Sequence, residues 1–171
     1  MYASGIVASI EEKHLTTATT DAKYPLGAEY ITINTTANIP DKWRYVYAHA
    51  ALTQYAPYQI VAGGTTGTEW RTAAPATIAA NVVEICIPQV AVTSNYYCWV
   101  KTQGRAYALT TGPATTIDEG LQVLNGATYF TAGTTGPIYG LSTPCACIVV
   151  STAGNTTATV NLFGYRIQTT G

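Results

Sequence analysis

Short runs rich in β-branched and aromatic residues, broken by Gly, Pro, Asn and Thr, recur along all 171 residues, and apolar positions are hardly ever found at helical spacing. Such a chain is confined to an all-β fold. The clearest strands are expected over 29–34, 43–52, 81–87, 96–102, 106–110, 146–151 and 158–168, with shorter ones near 59–62, 121–124 and 128–131. In YYCWVKTQGRAYAL, Tyr97, Trp99 and Lys101 alternate with Tyr96, Cys98, Val100 and Thr102. Gln103-Gly104 is expected to reverse the chain there, because glycine accepts the positive φ of a tight hairpin turn. Gly164, inside the last strand, is expected to mark a bulge or a close backbone approach. The stretch 62–80, AGGTTGTEWRTAAPATIAA, has the least strand character and is expected as a long exposed loop.

A chain of this length is expected to form one β domain over 1–171, since it can bury roughly 70% of the surface its unfolded form exposes. No apolar run reaches the length of a membrane span, and MYASGIVASIEEKHL lacks the basic flank and apolar stretch of a secretory signal. Synthesis in a host cytoplasm with no membrane stage is expected. Asp, Glu, Lys and Arg make up only 10% of the residues, against about 25% in an ordinary soluble domain, and the formal charge is -1. With so little self-repulsion the chain is expected to associate, its partners covering part of its surface. The basic residues are scattered rather than clustered, which argues against nucleic acid as a partner.

Candidate chemistry is sparse. Gly63-Gly64-Thr65-Thr66-Gly67-Thr68 lacks the lysine of a phosphate-binding loop and no helical pattern follows it. Cys145 and Cys147 flank a single residue, too tight for the usual zinc knuckle. With Cys86 and Cys98 they are expected as small buried side chains in a reducing compartment, with no metal and no cofactor. His14 and His49 sit in no nucleophile motif, and Asp118-Glu119 are expected as solvated loop acids before Gly120. No catalytic residue is expected, and the chain is read as a non-enzyme.

Thirteen Tyr and three Trp are the other conspicuous group. Aromatics of this kind anchor protein interfaces or stack on sugars. The scarcity of charged hydrogen-bonding groups favours the interface. The candidate interface residues are Tyr45, Tyr47, Tyr55, Tyr58, Trp70, Arg71, Tyr96 and Tyr97.

Five segments in order, PLGAEYITIN, KWRYVYAHAALTQYAPYQIVAG, YYCWVKTQGRAYAL, DEGLQVLNGATYF and TATVNLFGYRIQ, resemble the small virion proteins of tailed bacteriophages that decorate, or cement, the capsid. The matching positions are Gly27, Arg44-Tyr45-Val46, and Trp99-Val100 with Gly104. The resemblance implies a β-barrel or β-sandwich, jelly-roll-like among its forms, with extended loops. Residues 1–25, as a probable N-terminal arm, and the 62–80 loop depart from it and are where contacts with capsid or neighbouring subunits are expected. It further implies a homo-oligomer, a trimer by preference, that binds the major capsid protein on the capsid exterior and stabilises capsomer contacts. Another phage part, such as a tail, collar or head fibre, and a carbohydrate-binding or adhesin module are the alternative readings.

Overall fold

A computed structural model describes residues 10–62, 70–73, 82–111, 117, 120–123, 128–132, 147–153 and 156–163. Among them the fold is all-β apart from one turn of helix, α1 (Glu12–Leu15). The strands are β1 (Glu29–Asn34), β2 (Ile39–Ala48), β3 (Tyr58–Ala62), β4 (Trp70–Ala73), β5 (Val82–Cys86), β6 (Tyr96–Leu109), β7 (Gly120–Val123), β8 (Phe130–Ala132), β9 (Cys147–Ala153) and β10 (Thr157–Phe163). They form one sheet in the order β5-β3-β4-β2-β6-β10-β9-β7-β8, with β1 paired to β2 off that path.

The two ends of this sheet both curl back to β6. Beyond β5, Ile87 exchanges two backbone hydrogen bonds with Lys101 of β6, at 2.8 and 3.1 Å. Thr110, one residue past β6, bridges in parallel to Phe130 of β8. Two barrel-like rings therefore share one long strand. Val46, Ala48, Ile60, Cys86, Cys98 and Val100 fill the first, and Ala106, Ala108, Leu121, Phe130, Val149, Ala158 and Val160 fill the second. Within each half of β6 the core side chains, Cys98 and Val100 in the first and Ala106 and Ala108 in the second, are spaced by the two-residue period of a strand.

Gly104 makes this sharing work, and here the structure corrects the sequence reading. No hairpin reverses the chain at Gln103-Gly104; β6 runs through without a break. Gly104 adopts φ +94, and two residues before it Thr102 is the extra residue of a shift in the β2–β6 register between Lys42 and Trp43. There β6 leaves β2 and continues along β10, with Gly104 opposite Leu162. A positive-φ glycine serves a close approach of two backbones as readily as a turn. Here Pro40 and Asp41 lie against Gly104, and Asp41 Oδ1 accepts the Arg105 N–H at 2.8 Å, the donor a tight turn would have used.

A second correction concerns 62–80. Trp70–Ala73 is a strand inside the sheet, parallel to β2 through Tyr47–Arg71 and antiparallel to β3. The stretch is therefore not one continuous loop. Its weak apolar pattern hid a strand defined by backbone pairing on both edges. Residues 63–69 and 74–81, Gly164, Cys145 and Asp118-Glu119 lie outside the described residues.

Cys86, Cys98 and Cys147 are buried and free. Burial raises the Cys86 thiol well above its ordinary value of 9.0 and pushes Cys98 up to about 12. Tyr45 is also raised, chiefly by burial, and Lys101 is lowered by burial against the opposing pull of Asp41. Between pH 9 and about 12 the unfolded chain releases thiol protons that the folded chain keeps, so stability falls as pH rises. Tyr45 adds to this loss above pH 10.0, while Lys101 opposes it up to 10.5. We expect urea midpoints to fall steadily above pH 9, with Cys98 contributing on the order of 4 kcal/mol by pH 12. Cys98→Val should flatten that fall; an unchanged slope would disprove the assignment.

Candidate interaction surface

The outer face of β2 and the first half of β6 is where the aromatic residues gather. Its odd-numbered side chains include Trp43, Tyr45, Tyr97 and Trp99, and residues 10–28 of the same chain lie across them. Thr19 exchanges backbone hydrogen bonds with Tyr97 at 2.9 and 2.8 Å, and the Lys23 N–H donates to the Tyr45 hydroxyl at 3.0 Å. Tyr24 packs edge-on to both Tyr45 and Trp99, with ring centroids 5.2 and 5.3 Å apart, and its hydroxyl meets His14 Nδ1 at 2.6 Å. A cavity of about 310 Å³ is left beneath the segment, lined by His14, Thr19, Lys23, Tyr24, Tyr45 and Trp99. Trp99 Nε1 is buried with no hydrogen-bond partner among the described residues.

This packing divides the candidate interface residues. Tyr45 and Tyr58 are buried, which corrects their reading as surface anchors. Tyr45 holds the 10–28 segment, and Tyr58 sits in the first core with its hydroxyl accepting the Thr53 N–H at 2.8 Å. Tyr47 and Tyr97 are half-buried neighbours, 5.2 Å between centroids, and the Tyr47 hydroxyl donates to Asn95 Oδ1 at 2.7 Å. Tyr96 is half-buried against the first core, and half-buried Tyr55 packs on exposed Tyr107 at 5.4 Å. Trp70 and Arg71 are placed by backbone only, in β4. Of the histidines, His14 is tied to Tyr24 and His49 is exposed just beyond β2.

Charge, already scarce, is drawn inward. Arg44, only 1% exposed, donates from Nε and Nη2 to Glu84 Oε2 at 3.1 and 2.9 Å and from Nη1 to the Gly27 carbonyl at 3.0 Å. Its Nη2 also meets Glu29 Oε1 at 2.6 Å, and Lys42 lies 3.3 Å from Glu29 and 3.6 Å from Glu84. Nearby, Lys101 Nζ donates to Asp41 Oδ2 at 2.8 Å and sits 4.5 Å from the centre of the Trp43 ring. Among the described residues, three basic side chains (Lys42, Arg44, Lys101) and three acidic ones (Glu29, Asp41, Glu84) are thus engaged in interior or half-buried pairs. Sequence reading gave Arg44 only as a position of the resemblance and missed its pairing, because Arg44 and Glu84 lie 40 positions apart and nothing local announces the pair.

The described surface also offers large apolar side chains. Ile31 and Ile33 of β1 are 47% and 61% exposed, and Tyr107 and Phe163 protrude from β6 and β10. Strand β1 pairs only with β2, and its other edge is unpaired among the described residues.

No protein-family model and no curated protein matches the chain. Among solved structures, the base of the head fibre protein gp8.5 of bacteriophage phi29 matches over 73% of this chain and 96% of that one, at 12% identity and a TM-score of 0.45. A likeness of that size carries no argument about fold or function.

Proposed function

We propose that the chain is a structural subunit of a bacteriophage virion, and within that class a capsid decoration protein that binds the major capsid protein and braces neighbouring capsomers. The observation that carries the proposal is the redistribution of charge: a chain already poor in charged residues draws six of them into its own pairs and leaves isoleucine and aromatic side chains outside. A surface of this kind is suited to being covered, since apolar and hydroxyl-bearing groups give contact area without the desolvation cost of ions. Repetition over a lattice turns modest contacts into firm attachment. The proposed role is mechanical and involves no chemical step. The sequence resemblance to decoration proteins supports the same reading.

The test is a comparison of particles with and without the protein. It should co-purify with particles in fixed stoichiometry, map to the outer capsid by electron microscopy, and raise the temperature at which the packaged genome is lost. Density on a tail, collar or fibre would retain the virion reading and reject decoration. Absence from particles would reject both. The aromatic cluster gives the carbohydrate alternative little support, since Tyr24, Tyr45 and Trp99 pack on one another within the chain.

A further inference from the structure

We propose that two copies of this chain join through their β1 strands, antiparallel and two-fold symmetric about Thr32, so that the sheet continues from one copy into the other. The inference goes beyond the virion reading and stands independently of it.

The backbone register carries the argument. Tyr45 donates its N–H to the Ala28 carbonyl at 2.9 Å, and β1 pairs with β2 as Glu29↔Arg44 through Asn34↔Ile39. Bonded and non-bonded pairs alternate along an antiparallel ladder. Tyr30, Thr32 and Asn34 therefore take the positions bonded to β2, and the N–H and C=O groups of Glu29, Ile31 and Ile33 point outward. Pro40 opposite Ile33 agrees with this, because a residue with no N–H fits a position that owes β2's neighbour no bond.

The outward backbone groups thus belong to the residues that carry the exposed isoleucines. Open edges are ordinarily guarded by lysine, proline or inward charge. Here Ile31 and Ile33 stand 47% and 61% exposed beside the edge. A second copy turned about Thr32 sets Ile31 against Ile33 in two symmetric pairs, each made of residues whose bonding groups point outward. Shifting the centre to Ile31 would instead put Glu29 against Ile33. The Thr32 register alone matches isoleucine with isoleucine twice.

Electrostatics permit the same pairing. Glu29 is held by Arg44 at 2.6 Å and Lys42 at 3.3 Å, so the edge brings no unneutralised charge to its copy, and Glu29 faces Thr35 across the join. Two-fold pairing also closes on itself, consuming both edges, whereas parallel addition would leave one open.

The purified full chain should show concentration-dependent association by sedimentation, and Ile31→Lys/Ile33→Lys should halve the sedimenting mass while leaving the far-ultraviolet circular dichroism unchanged. In the proposed register Thr32 faces its own copy in a non-bonded pair, with Cα atoms about 4.5 Å apart, within disulfide reach. Thr32→Cys should therefore cross-link to itself on mild oxidation, and Ile31→Cys should do so far less. Amide hydrogen exchange at Ile31 and Ile33 should slow as concentration rises. A wild-type chain that stays monomeric up to about 1 mM would overturn the proposal, and would leave a strand from another protein as the occupant of the edge. An undiminished mass in the double lysine variant, or stronger cross-linking at position 31 than at 32, would overturn it equally.

Discussion

Arg44→Met is expected to lower stability by about 3–5 kcal/mol, the usual cost of breaking a buried ion pair from one side. The guanidinium is 1% exposed and satisfies Glu84 twice, Glu29 once and the Gly27 carbonyl once. Without it, Glu84, whose side chain is 3% exposed, keeps among the described residues only the longer contact to Lys42 at 3.6 Å. In a domain of this size the thermal midpoint should drop by roughly 6–20 °C. Arg44→Met/Glu84→Leu should recover most of the loss, because removing both charges removes the desolvation penalty together with the attraction. Urea unfolding of the three proteins checks this. A single variant within about 0.5 kcal/mol of wild type, as for an ordinary surface change, would show that the pair does not hold the first ring together.

The second large effect is expected at Gly104. A Cβ there would lie 2.2 Å from Asp41 Oδ1 and 2.6 Å from the Pro40 carbonyl oxygen, and φ is +94. Both obstacles resist relaxation, since one is backbone and the other a carboxylate bound to Lys101 and to the Arg105 N–H. Gly104→Ala should cost at least about 3 kcal/mol, combining left-handed strain with displaced buried hydrogen bonds. It should also disturb both rings, because Gly104 is the point at which β6 passes from β2 to β10. Chemical-shift changes reaching Trp43 on one side and Leu162 on the other would confirm that reach. A variant as stable as wild type would mean that the close approach of Asp41 and Pro40 to Gly104 is replaceable.

The sequence was most informative where structure is local. β1 was readable with its observed bounds, Glu29–Asn34, because alternation along a six-residue strand carries its own signal. The burial of cysteines on strands was readable for the same reason. β4 was not, since Trp70–Ala73 is a strand by virtue of pairing with β2 and β3 and lies among small residues and turn formers. Gly104 was correctly singled out and wrongly assigned. Its positive φ was legible, but the partner it makes room for is Asp41, 63 positions earlier in the chain. The aromatic residues were read as contact groups toward partners, yet Tyr45 and Trp99 pack on Tyr24 of their own chain.

Composition and local pattern by themselves determined that this chain is built of strands, carries few charges and is furnished with aromatic contact groups. Only the tertiary structure decided that one strand serves two rings, that six of the few charges are paired in the interior or half-buried, and that β1 presents an edge unpaired among the described residues with Ile31 and Ile33 beside it. The physical reason is that strand propensity and side-chain alternation act between near neighbours. Strand pairing, ion pairing and burial join residues tens of positions apart, and no short window of sequence contains both partners.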